Sequence, residues 1–217
     1  IVHIFVSVTW WQVCLCRQYQ YFIRMRVPIT DYQLILASNS PRRKELLSGI
    51  DVEFETRVLP DLDESYPKSL PHEEIAEYLA RKKASAYRPE LKKEELLITA
   101  DTVVLLNGEV LGKPAGTEDA KQMLRRLSGQ THRVITGVCL TSTAKQVSFS
   151  DTAHVTFGEL QEEEVDYYAE TYQPMDKAGA YGVQEWIGYM GVERIEGSYY
   201  NVMGLPIFKV YRELKRF

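Results

Sequence analysis

The sequence predicts an α/β fold: a mixed β-sheet with flanking helices. Three observations predict it. Short apolar runs lead directly into helix-start signals, which indicates strand–helix units. Asn107-Gly108 lies between two apolar runs, and two long alternating runs follow at 132–143 and 146–157, which indicates antiparallel pairing in the same sheet. The 217 residues suffice for one large domain, or two lobes sharing a core, with room for a buried cleft.

Taken in order, QLILAS (33–38) is a short apolar strand, and Ser40-Pro41 after it starts the helix RRKELLSG (42–49). VEFETRVL (52–59) alternates as a strand does, and an acidic loop with three prolines, PDLDESYPKSLP (60–71), follows it. HEEIAEYLARKKASAY (72–87) is a helix. LLITADTVVLL (96–106) is a buried strand, turned back at Asn107-Gly108. Thr117-Glu118-Asp119 opens a helix that Ser128-Gly129 closes. The long antiparallel pair comes next, then the acidic-headed helix LQEEEVDYYAETY (160–172). A terminal helix in LPIFKVYRELKRF (205–217) carries Pro206 in its first turn.

The first thirty residues stand apart from this patterning. IVHIFVSVTWWQVCLC lacks the basic start and small-residue cleavage site of a signal peptide, and its 16 residues fall short of the roughly 20 needed to span a bilayer. The first methionine is Met25. We therefore expect residues 1–30 to be an atypical extension, with 1–24 translated upstream sequence or another non-native addition, against the alternative of a membrane-associating or core-packing segment. The folded unit is expected at 31–217.

Acidic residues number 30 against 26 basic ones, a net charge of −4, so no overall basic field points to a nucleic-acid or membrane partner. Any anion site must be local. Three cysteines, Cys14, Cys16 and Cys139, make no disulfide framework, and a reducing, cytoplasmic location is expected.

Four places could carry chemistry. Ser38-Asn39-Ser40-Pro41-Arg42-Arg43 joins a strand end to a helix start, where free amide N–H groups and the positive end of the helix dipole favour an anion. Arginine is unfavourable there unless an anion is bound, although plain capping by Ser40 with two solvated arginines is the alternative. Projected at about 100° per residue, Ile75, Ala76, Leu79, Ala80, Ala84, Ala86 and Tyr87 form an apolar stripe with Lys83 near its centre and Lys82 at its edge. Lys83 must then snorkel out or meet a phosphate or carboxylate. Asp101 interrupts an apolar strand and needs a metal, a general-base role or an ion-pair partner. Lys113 is brought near by the hairpin, although strict alternation places it opposite Thr102 and a direct contact with Asp101 requires a bulge. Asp176 to Gln184, DKAGAYGVQ, is a small-residue loop in which Gln184 offers both a donor and an acceptor. His132 and His154 fit no zinc spacing, and no P-loop or Rossmann fingerprint is present.

Read together, SNSPRR (38–43), ADTVV (100–104), GKP (112–114), SGQTH (128–132), DKAGAYGVQ (176–184) and GSYYNVMGLP (197–206) closely resemble the Maf family over about residues 33–217. The resemblance implies an elongated mixed sheet related to the inosine triphosphatases, with two lobes around a cleft and the chain possible as a homodimer. It also implies house-cleaning hydrolysis of a nucleoside triphosphate to the monophosphate and pyrophosphate. Its dTTP/UTP branch is the better match than the branch acting on 7-methyl-GTP. By the same resemblance Asp101 is the proton acceptor. Ser40, Arg42, Arg43, Lys83 and Lys113 face the triphosphate, and Arg42, Thr102 and Gln184 are specificity positions. Glu64 joins Asp101 around a divalent cation, magnesium or manganese, with Asp63 the alternative because the loop has no rigid motif. Glu185-Trp186 departs from the small, glycine-rich continuation typical after the glutamine. Two other readings are an inosine or xanthosine triphosphatase and a non-catalytic regulator of division. The first is separated by deaminated purine substrates, the second by dispensability of Asp101 and Lys83.

Overall fold

The structure is a computed structural model that describes residues 29–60 and 62–217; the expectation for residues 1–24 lies outside the described residues. Within them, seven strands form one mixed sheet ordered β2-β1-β3-β5-β6-β7, with β4 beside β3. The strands are β1 (Gln33–Leu36), β2 (Phe54–Thr56), β3 (Glu95–Leu106), β4 (Glu109–Leu111), β5 (Thr131–Thr141), β6 (Gln146–Phe157) and β7 (Val192–Glu196). β1 runs parallel to β2 and β3, and the other pairs are antiparallel. The helices are α1 (Pro41–Ser48), α2 (Ile75–Tyr87), α3 (Thr117–Leu127), α4 (Glu162–Tyr172), α5 (Trp186–Gly191), α6 (Tyr199–Val202) and α7 (Ile207–Leu214). Among the described residues no helix is long and apolar enough to cross a membrane.

Alternation along β3 feeds two cores. Leu96, Ile98, Ala100, Val104 and Leu106 face a large cluster with side chains from α1, α3, α4 and α7. Leu97, Val103 and Leu105 face the opposite side, under α2. Each such aliphatic side chain contributes about 1.5–3 kcal/mol when buried, so a strand covered on both faces tolerates a carboxylate only where something else compensates it. α2 covers its face closely. A Cβ on Gly137 of β5 would lie 2.2 Å from the backbone nitrogen of Glu77 and 2.3 Å from the carbonyl carbon of Ala76, so the bare glycine lets the helix rest on the strand.

The hairpin at Asn107-Gly108 forms in the expected register, with Leu106 opposite Glu109 and Leu105 opposite Val110. Both turn residues have positive φ, 51° and 83°, as a two-residue turn matching the twist of the strands requires. β4 stops at Leu111, however, so the pairing does not extend to Lys113 and Thr102. Other expectations shift too. The strand expected over 52–59 is three residues long, and Pro206 caps the last helix from outside its first turn. Ala86 is exposed, because the stripe's edge runs off the packed surface at that end of α2, where Ser85 and Arg88 also reach solvent.

Candidate active site

β1 covers one edge of β3 as far as Ile98, and β4 resumes on that edge only at Val104. Between them, among the described residues, no strand pairs this edge over 99–103, and there a cavity of about 580 Å³ sits, within the size range of small-molecule sites. Because neither neighbouring strand blocks it, the cavity reaches both faces of β3. Ala100, Asp101 and Thr102 all line it, although alternation sends Asp101 to the α2 side and Thr102 to the other.

On the α2 side, Lys83 Nζ lies 2.6 Å from Asp101 Oδ1 and 2.8 Å from Glu64 Oε1. Asp101 and Lys83 are 14% and 12% exposed, whereas Glu64, from the loop, is half exposed. Lys83 therefore does not snorkel to solvent. It is the partner that Asp101 needs, in place of Lys113, which lines the cavity from the end of β4. The reason is the approach of α2 over Gly137, which faces Asp101 across the β3–β5 ladder. Of the two loop acids, Glu64 lines the cavity, whereas Asp63 bonds Lys82 at 2.7 Å. Burial alone would raise the Glu64 carboxyl, but the bond from Lys83 and the fields of Lys83, Lys113 and Arg43 hold it below the usual range.

On the α1 side, Ser40 caps the helix, accepting from Arg43 N at 3.5 Å. Arg42 reaches Asp176 at 3.0 Å and is one-fifth exposed. Arg43 is turned inward. Its Nη1 donates to the free-edge carbonyl of Ala100 at 2.9 Å, its Nη2 to Thr102 Oγ1 at 3.1 Å and its Nε to the Gly204 carbonyl at 2.8 Å. Those bonds make Arg43 a brace for the open edge as well as a cation at the cavity wall. Burial pushes its guanidinium down, Asp101 pulls it back up, Arg42 adds to the depression, and Glu64 opposes it. An anion entering the cavity relieves that burden. Thr102 also shares a 2.9 Å hydroxyl contact with Thr136, which donates to the Asn201 carbonyl of α6.

The loop carrying Gln184 closes the far wall. Gly179, at φ 71°, donates to the Gly112 carbonyl and leaves Val104 just enough room, which docks the loop on the end of β4. Gln184 Oε1 is buried without a hydrogen-bond partner among the described residues, a costly state unless a ligand donates to it. All of the sequence-predicted site residues thus line one cavity: Ser40, Arg42, Arg43, Glu64, Lys83, Asp101, Thr102, Lys113 and Gln184. Sequence reasoning missed Asp176 as the partner of Arg42, and Thr136 and Asn201 as the supports of Thr102. Asp176 and Asn201 lay inside quoted motifs, but nothing local shows whom they meet.

No third acid, histidine or cysteine joins Asp101 and Glu64 in a metal-like cluster among the described residues. Two carboxylates that already share one cation, the Lys83 ammonium, nevertheless fit a magnesium or manganese ion of the kind that takes its remaining oxygens from water and phosphate.

A cavity lined by five cations and three acids at the open edge of a buried strand, on this sheet, defines a class of nucleotide-handling protein. Residues 33–217 match the model of the Maf-like proteins, and the chain belongs to that family. Among its relatives is a dTTP/UTP pyrophosphatase of Bacteroides thetaiotaomicron, 63% identical over 185 residues, covering 85% of this chain and 96% of the relative. Another from Phocaeicola vulgatus is 59% identical with the same coverage, and one from Porphyromonas gingivalis is 55% identical over 86% of this chain and 94% of its own. A solved HAM1 protein from Coxiella burnetii matches 86% of this chain and all of its own, at 15% identity and a TM-score of 0.46.

Proposed function

We propose that this chain hydrolyses dTTP or UTP to the monophosphate and pyrophosphate. The observation that carries the reading is the convergence of Asp101, Glu64 and Lys83 at the open edge of β3, facing arginines from a helix start. The relatives, at 55–63% identity, are dTTP/UTP pyrophosphatases, which supports the pyrimidine choice. So does the buried, unpartnered Gln184 Oε1, because uracil and thymine present an N3–H donor where cytosine presents an acceptor. The catalytic unit is residues 31–217, in keeping with the family match from residue 33, and the setting is cytoplasmic. A homodimer accords with the family reading.

In this mechanism water attacks the α-phosphorus in line with the pyrophosphate leaving group, and Asp101 accepts its proton. Lys83 orients the Asp101 carboxylate, then contacts the phosphate chain together with Lys113 and Arg42. Arg43 and the α1 amide groups hold the oxygens on which charge builds, an effect largest in a water-poor cavity. Asp101 and Glu64 would hold a divalent cation, which when bound would supply charge neutralisation at the phosphates. The test is a nucleotide panel with orthophosphate and pyrophosphate read separately. Pyrophosphate from dTTP and UTP is expected; orthophosphate release, or preference for deaminated purines, would refute the reading.

A further inference from the structure

Glu185 is the residue at which this chain departs from the glycine-rich continuation after Gln184, and it stands at the N-cap of α5. An acidic N-cap ordinarily turns its carboxylate to the helix amides, yet no side-chain cap bond forms here. The carboxylate points instead into the back of the cavity wall. Its Oε1 lies 3.1 Å from Lys177 Nζ, and its other oxygen accepts from the Tyr168 hydroxyl. Tyr168, fully buried, also accepts from the Gly182 amide at 3.0 Å. Lys177, 9% exposed, bonds Asp176 at 2.8 Å, and Asp176 holds Arg42.

A single carboxylate thus ties both ends of the segment 176–185. One end is the Asp176-Lys177 pair behind Arg42, and the other is Gly182 beside Gln184. Packing at Gly182 confirms how tight the join is: a Cβ there would lie 2.8 Å from Glu185 Cδ and 3.0 Å from Gln184 Nε2. From this geometry we infer that Glu185 is a positioning residue that sets pyrimidine selectivity, acting through Lys177 and Tyr168 to fix the Gln184 carbonyl and the Arg42 fork. The inference rests on the pyrimidine triphosphate reading of the cavity.

Two conservative variants test it, Glu185→Gln, which removes the charge, and Tyr168→Phe, which removes the phenol that joins Glu185 to Gly182. Two readouts are needed. The first is hydrogen exchange over residues 176–186 in the protein without nucleotide, which reads positioning without any activity. The second is steady-state kinetics on UTP and CTP. In both variants exchange at Gly182 to Gln184 is expected to quicken about tenfold or more. The UTP-over-CTP ratio of kcat/KM should fall by about tenfold, through a higher KM for UTP with kcat held within about threefold. Unchanged exchange in either variant, or a fall in kcat with KM intact, overturns the positioning role. A wild-type protein that releases no pyrophosphate from UTP overturns the activity reading instead, and the exchange measurement still decides the role of Glu185.

Discussion

Adding one methyl group at Gly137 should disable the active site from behind. A Cβ there falls 2.2 Å from Glu77 N and 2.3 Å from Ala76 C, whereas ordinary contact begins near 3.4 Å, so α2 must lift by about 1.2 Å. Backbone atoms on both sides leave no flexible side chain to yield. Overpacking of this kind costs about 1–3 kcal/mol, and at about 2–4 °C per kcal/mol for a domain of this size the melting temperature should drop by roughly 2–12 °C. The second effect is chemical. Gly137 sits opposite Asp101, and Lys83 is carried on the lifted helix, so the 2.6 Å Lys83–Asp101 contact opens. A displacement of about 1 Å at a catalytic group can cost about 100-fold, and a loss of that order in kcat/KM for dTTP is expected. Melting and pyrophosphate release are measured on the same sample, with Gly116→Ala as the control, since its new methyl would meet open space. Wild-type kinetics in folded Gly137→Ala would refute the idea that this close approach places Lys83.

Asp101→Asn should lower kcat by about 10²–10⁴-fold while the melting temperature stays within a few degrees, because Lys83 keeps Glu64 as a partner; unaltered turnover would remove Asp101 from the chemistry. Lys83→Ala is expected to cut activity far more than Lys82→Ala, because among the described residues Lys82 bonds Asp63 and Ser65, which flank Glu64, and not the cavity acids. Equal losses on the two substitutions would show that the inward position is not special. Burial pushes the His132 imidazole down from 6.5 to about 4, so the unfolded chain takes up the proton first as pH falls. The stability due to neutral His132 is therefore fully present above about pH 6.5 and lost as pH falls toward 4, by at most roughly 3 kcal/mol. Melting curves of wild type and His132→Gln should diverge across that window, and parallel curves would contradict the assignment.

Much of the fold was legible wherever the pattern is local. The Asn107-Gly108 hairpin has its expected register, the β5–β6 pair spans nearly the expected residues, and Lys83 lies inward as the helical projection requires. Elements governed by distant partners were not legible. α5 and α6 have six and four residues, too few to show a period. β7 is an edge strand beside a register shift at Thr156/Phe157, and its half-buried Val192 and Ile195 are three apart, not two. In the site, residue types and motifs pointed to residues that line one cavity, but partnerships did not follow from spacing. Asp101 pairs with Lys83 and not Lys113, because that choice depends on the helix that carries Lys83 resting on Gly137, 54 positions beyond Lys83 in the chain.

The open stretch of β3 has a consequence for how such a protein can change. Where a strand is paired along both edges, successive side chains serve separate compartments, and one ligand cannot meet two of them. Here Asp101 and Thr102, adjacent in sequence, touch the same ligand space from opposite faces. Each is wired to a different support: Asp101 to α2 through Lys83, and Thr102 to Arg43 and to Thr136 and, through Thr136, to α6. Under the proposed reading of the cavity, substitutions behind Thr102 would retune which base is accepted without disturbing Asp101 one residue away, so that new specificities would arise on an unaltered reaction.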